Sequence, residues 1–192
     1  MSGDGFILAS ASPRRLQLLS QIGVTPDAVV PADINEDPIP GELPRPHALR
    51  LAQEKAAHVS ASHPGKIILA ADTVVGVGRR ILPKTLDRAE AETCLRLMSG
   101  RAHRVFTGVC VVDADGVSRA KVSETRLKMK RLTEPELSAY LDSEEWHGKA
   151  GGYGIQGKAG AFIPFLSGSY TAVVGLPIYE TAVMLRTAGI DL

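Results

Sequence analysis

The chain has 192 residues, and its 22 lysines and arginines nearly balance 21 aspartates and glutamates, for a formal charge of +1. This length predicts one domain, spanning residues 1–192, with a core large enough to need no disulfide or metal. The charge balance excludes proteins that coat long nucleic acids or anionic lipid through a broadly basic face. No apolar run is long enough to cross a membrane. Any polyanion that this protein binds must therefore be held locally.

Cysteine usage and the N-terminus both predict a cytoplasmic protein. Cys94 and Cys110 lack a CxxC pattern or a histidine at ligand spacing, so neither a disulfide framework nor a zinc site is expected. The segment 1–6 is polar and glycine-rich and lacks the basic and apolar regions of a signal peptide. We expect the mature chain to be the whole chain.

Hydrophobic periodicity predicts strands and helices interleaved along the chain. Short apolar runs predict strands at 6–9, 28–30, 66–75, 104–112, 117–130, 161–165 and 171–174. Apolar residues at helical spacing predict helices at 14–22, 47–59, 88–98, 133–143 and 177–188. The run from Asp113 to Gly116 is a hairpin signal, which makes part of the sheet antiparallel. These elements predict an α/β fold with a mixed sheet flanked by helices.

The first candidate site lies where a predicted strand meets a predicted helix, at Ser10–Arg15. Ser12 is expected to cap the helix, with Pro13 in its first turn. A helix N-terminus attracts anions, and guanidinium groups donate paired hydrogen bonds to phosphate. Arg14 and Arg15 oppose the helix dipole unless an anion binds beside them. The pattern favours a phosphate site, and a simple cap with solvated arginines is the alternative.

Asp72 interrupts an otherwise apolar predicted strand and is followed by Thr73. A buried carboxylate is costly unless it is paired or binds a metal, so Asp72 is the best candidate for a catalytic carboxylate. The alternative is an aspartate at the end of a shorter strand, hydrogen-bonded to a turn. Glu36, in the proline-rich loop of residues 34–46, is a further acidic candidate.

Other polar residues are weak candidates when each is taken alone. Lys55 lies on a predicted helix beside Glu54, where a solvated face is the commoner outcome. Lys84 beside Pro83 has the pattern of an ordinary loop lysine. The histidines show neither metal-ligand spacing nor a nucleophile partner, so covalent catalysis has little support.

The segment 148–160 contains six glycines in thirteen residues. Its GxGxxG match at 152–157 does not follow a strand, and β-like sequence comes after it, so it lacks the context of a dinucleotide site. What remains is a backbone that can approach a ligand closely. Gln156 adds an amide donor and acceptor, which can hydrogen-bond to the edge of a nucleobase.

Taken in order, five sequence features resemble the Maf family over nearly the whole chain: SASPRR at 10–15, ADT at 71–73, Lys84, KAGGYGIQG at 149–157 and GSYTAVVGLP at 168–177. The resemblance implies a cytoplasmic, metal-dependent nucleoside triphosphate pyrophosphatase. It also implies two lobes around a cleft, similar to the inosine triphosphate pyrophosphatases. The YGIQG form resembles the branch that acts on dTTP and UTP, whereas the 7-methyl-GTP branch tends to have Glu at the position of Gln156.

The resemblance also implies roles by position. It makes Asp72 the proton acceptor, and it makes Arg14, Thr73 and Gln156 residues that matter for substrate choice. The other family positions that line the cleft, where cations meet phosphates and carboxylates meet metal, are Ser10, Arg15, Lys55, Lys84 and Glu36.

Two positions depart from the family pattern. Thr85 stands where proline is common, in the loop that positions the neighbouring Lys84. Ala172 stands where asparagine is frequent, in what we expect to be a structural turn with little effect.

The implied chemistry agrees with these residues. A nucleoside triphosphate carries about four negative charges, so catalysis depends on charge neutralisation and positioning. Mg²⁺ or Mn²⁺ held by Asp72 and Glu36 would bridge the phosphates and lower the pKa of a bound water. We expect Asp72 to deprotonate this water, which attacks the α-phosphorus and expels pyrophosphate.

Two other hypotheses stay open. One is a non-catalytic nucleotide-binding regulator of cell division, or septum formation, that uses the same cleft. The other is a pyrophosphatase that prefers purine or modified nucleotides. A homodimer is a common state for such domains. Pyrophosphate release across a panel of triphosphates separates these hypotheses.

Overall fold

The computed structural model describes residues 5–192, so most of the segment predicted not to be a signal peptide lies outside the described residues. The strands are β1 (Phe6–Leu8), β2 (Ala28–Val29), β3 (Ile67–Val77), β4 (Arg80–Leu82), β5 (Ala102–Val112), β6 (Ser118–Lys128) and β7 (Phe165–Ser167). The helices are α1 (Pro13–Gln21), α2 (Pro44–Ser62), α3 (Arg88–Met98), α4 (Glu134–Asp142), α5 (Tyr170–Val174) and α6 (Ile178–Thr187). A 3₁₀ helix covers Lys158–Phe162.

The strands of the described residues form one mixed sheet in the order β2-β1-β3-β5-β6-β7, with β4 paired to β3. β1 is parallel to β2 and to β3, whereas the pairs β3–β5, β5–β6 and β6–β7 are antiparallel. A turn at Asp113–Gly116 joins β5 to β6, where the Gly116 N–H donates to the Asp113 carbonyl at 2.9 Å. The predicted hairpin and the predicted mixed sheet with flanking helices are confirmed.

β3 passes through two apolar cores. Its first half, residues 67–71, packs against α1 and α6 on one face and against α2 on the other. Further along, Val75 joins a second core with α3, α4 and the segment that follows α4. Asp72 and Thr73 stand between these cores, which form the predicted two lobes.

Helix α2 lies directly against β5 because Gly108 has no side chain. A Cβ on Gly108 would stand 2.1 Å from the carbonyl oxygen of Ala48 on α2. Gly108 is also the register partner of Asp72. The close approach therefore brings Lys55, two turns after Ala48 on α2, over the carboxylate of Asp72.

Several predicted elements are wrong in type or extent. α2 begins at Pro44, inside the predicted loop, and β4 was not predicted. The predicted strand 171–174 is helix α5, whose first turn is capped by Ser169 Oγ, which accepts from the Ala172 N–H at 3.2 Å. Of the predicted strand 161–165, residues 161–162 end the 3₁₀ helix and Phe165 begins β7. Four or five apolar residues do not distinguish a helical period from a strand period.

The described residues also bear on two compositional predictions. Cys94 and Cys110 are buried free thiols, as expected for a chain without a disulfide framework. Within residues 5–192, no helix has the length and hydropathy that crossing a membrane requires.

Candidate active site

A cavity of about 390 Å³ opens between the two lobes. Its lining contains every residue predicted for the site, namely Ser10, Arg14, Arg15, Glu36, Lys55, Asp72, Thr73, Lys84 and Gln156. These residues come from the β1–α1 junction, the loop before α2, helix α2, strand β3 and the segments after β4 and α4. The tertiary structure therefore brings the whole predicted set to one place.

The junction between β1 and α1 presents two guanidinium groups to the cavity. Arg15 donates from Nη1 to Ser10 Oγ and from Nε to the Gly175 carbonyl, both at 2.8 Å. Burial lowers the pKa of Arg14 and of Arg15, and for Arg15 the charge of Asp72 opposes this shift. Within the described chain, neither arginine has a carboxylate at salt-bridge distance. An anion that enters the cavity therefore meets two cations that are not yet paired.

Ser12 occupies the N-cap position of α1, but its side chain makes no capping hydrogen bond. The predicted cap is therefore wrong in its chemistry, although the helix begins where expected. The Ser12 N–H donates to Ser10 Oγ at 3.2 Å, and the same oxygen accepts from Arg15. Ser10 thus holds both the backbone turn and one guanidinium group.

Four side chains form a row of alternating charge through the cavity: Asp72, Lys55, Glu36 and Lys84. Lys55 Nζ lies 2.6 Å from Asp72 Oδ1 and 2.6 Å from Glu36 Oε1. Lys84 Nζ contacts the other oxygen of Glu36. Because Lys55 is only 6% exposed and Asp72 only 3%, the solvated-face alternative for Lys55 is wrong.

Asp72 lies in the middle of β3, opposite Gly108 on β5, so the strand-end alternative is also wrong. Glu36 is the more exposed of the two carboxylates. Burial by itself would raise the pKa of Glu36, but hydrogen bonds from Lys55 and Lys84 outweigh it and lower that pKa to about 2. Glu36 therefore carries its negative charge throughout the neutral range.

The loop that carries Glu36 is tied to α2 through Glu42. The Glu42 carboxylate accepts from Arg50 Nε at 2.8 Å and lies 2.8 Å from His47 Nδ1. These bonds, above all those from Arg50, lower the pKa of Glu42 to about 2. Arg50 also donates to the Asp37 carbonyl at 3.0 Å, one residue after Glu36. The same helix therefore positions both the loop and the lysine that the loop carboxylate contacts.

Thr73 follows Asp72 on β3 and therefore faces the other side of the sheet, where its hydroxyl joins a chain of hydrogen bonds. Its Oγ1 lies 3.1 Å from Thr107 Oγ1, and Thr107 donates to the Ala172 carbonyl at 2.7 Å. The segment around Ala172 is helix α5 rather than the expected turn. Thr107, which sequence reasoning missed, is the register partner of Thr73 and orients its hydroxyl.

The glycine-rich segment after α4 is anchored by Thr85, the residue that departs from the family pattern. The Thr85 N–H donates to the Lys149 carbonyl at 3.1 Å, and its hydroxyl donates to the Trp146 carbonyl at 2.8 Å. Lys84 forms an isolated β-bridge with Ala150. A proline at position 85 would lack this N–H donor. Threonine thus connects the loop of Lys84 with the segment that carries Gln156.

No strand precedes Gly152–Gly157 directly, and a 3₁₀ helix rather than an α-helix follows it. The exclusion of a dinucleotide-binding motif is consistent with this geometry, although the expected β-like continuation is wrong. Tyr153 lines the cavity, with its hydroxyl 2.6 Å from His103 Nε2. Lys149 also lines it. Both belong to the KAGGYGIQG run, which was the available signal for them.

The cavity contains two carboxylates, those of Asp72 and Glu36, that could bind a divalent cation. Among residues 5–192, no three His, Cys, Asp or Glu side chains lie close enough to hold a metal by themselves. Asp72 and Glu36, however, face the same ammonium group. Mg²⁺ is commonly held by one or two carboxylates together with substrate phosphates. The donor set therefore fits a cation that enters with the substrate.

The chain is similar to known proteins over most of its length. A family model described as Maf-like protein matches residues 5–188. A dTTP/UTP pyrophosphatase of Maricaulis maris is 62% identical over 186 residues, with 95% of this chain and 88% of that protein covered. A dTTP/UTP pyrophosphatase of Novosphingobium aromaticivorans is 57% identical over 185 residues, with 96% and 92% covered. The solved structure of a HAM1 protein from Coxiella burnetii aligns with a TM-score of 0.51 at 14% identity, covering 95% of this chain and 98% of that one, which supports the fold alone.

Proposed function

The chain belongs to the Maf family, and on that premise we propose that it is a nucleoside triphosphate pyrophosphatase that hydrolyses dTTP and UTP to the nucleoside monophosphate and pyrophosphate. The observation that carries the proposal is the convergence, in one cavity, of the Asp72–Lys55–Glu36–Lys84 row with two arginines that have no carboxylate partner among residues 5–192. The relatives compared above carry the name dTTP/UTP pyrophosphatase. Their identity and coverage support the same substrates here.

The cations of the cavity bind the triphosphate. Arg14 and Arg15 have no carboxylate partner within the described residues. The guanidinium group of Arg14 and those N–H groups of Arg15 that do not donate to Ser10 and Gly175 are therefore available to phosphate oxygens. Lys84 is half exposed and can exchange Glu36 for a phosphate at little cost. Charge neutralisation of this kind reduces the repulsion that a nucleophile meets at the α-phosphorus.

Asp72 accepts the proton of the attacking water. Its Oδ1 is engaged by Lys55, and in the described part of the chain Oδ2 makes no hydrogen bond, so Oδ2 is available to the water. The water oxygen forms a bond to the α-phosphorus as the bond to the β-phosphate oxygen breaks. Pyrophosphate leaves with the electron pair of that bond, and the proton stays on Asp72 until solvent takes it.

Asp72 and Glu36 are the residues that would hold a divalent cation, Mg²⁺ or Mn²⁺. When bound, this cation supplies positive charge to the phosphates and acidifies a water. Lys55 touches both carboxylates and sets their separation. We expect a chelator to abolish pyrophosphate release and added Mg²⁺ or Mn²⁺ to restore it.

Gln156 contributes to base choice. Its amide can donate to the 4-carbonyl oxygen and accept from N3–H of uracil or thymine. It is exposed at the cavity wall, where a base can reach it.

The test is pyrophosphate release from dTTP, UTP, CTP, ATP and GTP with Mg²⁺. We expect dTTP and UTP to be preferred. Asp72→Asn should lower turnover at least 100-fold, the usual range of general base catalysis, while nucleotide binding is retained in calorimetry. Asp115→Asn, in the exposed hairpin, is the matched control and should behave as wild type. Turnover by Asp72→Asn at the wild-type rate, or no release from any triphosphate, would contradict the proposal.

A further inference from the structure

Lys149 lines the cavity but has no part in the steps described above. Its aliphatic chain and the Gln156 amide pack against the same glycine. A Cβ on Gly154 would stand 2.9 Å from Lys149 Cε and 3.0 Å from Gln156 Nε2. The ammonium-bearing side chain is therefore a direct neighbour of the amide that faces the base.

Glu145 accepts hydrogen bonds from two residues of the segment that carries Lys149 and Gln156. Its main-chain carbonyl accepts from Lys149 Nζ, and its side-chain Oε2 accepts from the Lys158 N–H at 2.8 Å. The Lys149 main chain is held separately, through the hydrogen bond from Thr85. Two of the three donors on Lys149 Nζ have no acceptor among residues 5–192. The side chain is thus positioned but not saturated.

The charges that act on Lys149 are those of Arg14 and Glu145. Burial, followed by the positive charge of Arg14, lowers the pKa of Lys149, and Glu145 opposes these effects. Asp72 and Glu36, by contrast, act on Arg15. Lys149 therefore shares its electrostatic surroundings with Arg14, and its side chain lies beside that of Gln156.

An ammonium group can only donate hydrogen bonds, whereas an amide can turn to donate or accept. Without a second group beside it, Gln156 can therefore hydrogen-bond to cytosine as well as to uracil. Uracil and thymine have a carbonyl oxygen at position 4, where cytosine has an amino group. We propose, building on the proposed function, that Lys149 is a specificity-determining residue whose ammonium donates to the 4-carbonyl oxygen of dTTP and UTP. With CTP, the ammonium of Lys149 would face the amino group at position 4 of cytosine. Both groups only donate hydrogen bonds, so CTP should bind less well.

The experiment compares UTP with CTP in two settings. The first is the kcat/KM ratio for pyrophosphate release with Mg²⁺. The second is the ratio of dissociation constants measured calorimetrically with the Asp72→Asn protein, which does not depend on turnover. Lys149→Met should lower the preference for UTP over CTP about tenfold in both, which is the loss of one charge-assisted hydrogen bond. Lys149→Arg, which also only donates, should retain it.

Lys158→Met is the matched control, because Lys158 lies in the same segment and 3.9 Å from a Glu145 oxygen but does not line the cavity. Its UTP preference should equal that of the wild type. Lys149→Gln replaces Lys149→Met if the latter does not fold, and it should lose the preference in the same way.

An unchanged UTP-to-CTP ratio in a folded Lys149→Met or Lys149→Gln protein overturns the assignment. Equal weakening toward both nucleotides also overturns it, since that marks a phosphate contact. The binding arm separates the two proposals. If Lys149→Met changes the UTP-to-CTP binding ratio but the wild-type protein releases no pyrophosphate, Lys149 is a base contact and the proposed function is contradicted. If the wild-type protein releases pyrophosphate but the binding ratio is unchanged, the proposed function stands and the role of Lys149 is contradicted.

Discussion

Removal of the Lys55 ammonium should be the most damaging single change among the site lysines. Lys55→Met keeps the length and apolar character of the side chain but deletes the charge that lies 2.6 Å from Asp72 Oδ1 and 2.6 Å from Glu36 Oε1. Asp72, at 3% exposed, is left as a buried carboxylate without that partner. Glu36 keeps Lys84, so the cost falls mainly on Asp72.

The size of the loss follows from this burial. Deleting one partner of a buried ion pair costs about 3–5 kcal/mol, because the other charge stays out of water. Lys84→Met is the matched control: its side chain is 48% exposed, and surface pairs contribute about 0–1 kcal/mol. The two lysines contact the same Glu36 carboxylate, so the difference between the variants reports the buried pair with Asp72 that Lys55 alone of the two makes.

Urea unfolding followed by the fluorescence of Trp146, the single tryptophan, measures both variants. Trp146 is buried, at 7% exposed, so its emission should change on unfolding. With a slope of about 2 kcal/mol per molar urea, Lys55→Met should lower the midpoint by about 2 M and Lys84→Met by less than about 0.5 M. Equal losses of stability in the two variants would refute the reasoning.

Three further predictions concern the base, the packing and the acid range. Gln156→Glu should lower kcat/KM for UTP more than it weakens inhibition by pyrophosphate, since the base edge loses a donor; an unchanged kcat/KM would contradict this. Gly108→Ala should destabilise the fold in urea by about 3 kcal/mol, because its Cβ would stand 2.1 Å from the Ala48 carbonyl oxygen. Gly78→Ala, with φ +58° and open space, should cost only about 1 kcal/mol. Burial lowers the pKa of His103 to about 4, so below pH 6.5 only the unfolded chain gains this proton, and the unfolding free energy should fall by about 3 kcal/mol toward pH 4. His103→Gln should remove that part of the fall; parallel pH profiles would refute it.

The long elements and the polar interruptions within them could be predicted from local sequence. The central strands have enough apolar residues for their period to be clear, and the Asp113–Gly116 run contains its own turn chemistry. Asp72 was identifiable because a carboxylate in an apolar strand is expensive unless something pairs with it. The short C-terminal elements were not predictable, since four or five residues do not show a period.

The sequence by itself determined which chemical groups are present and which of them are out of place, including Asp72 in its apolar strand and two arginines at a helix start. Only the tertiary structure decided which groups meet. In the sequence, Lys55 beside Glu54 on a predicted helix has the pattern of a solvated face. In the structure, α2 packs against Gly108, and this close approach brings Lys55 over Asp72. The role proposed for Lys149 likewise depends on the tertiary structure, in which its side chain and the Gln156 amide both lie against Gly154. Such contacts depend on the close approach of segments that are far apart in the chain, whereas hydrophobic periodicity contains information only about residues that are close together in the sequence.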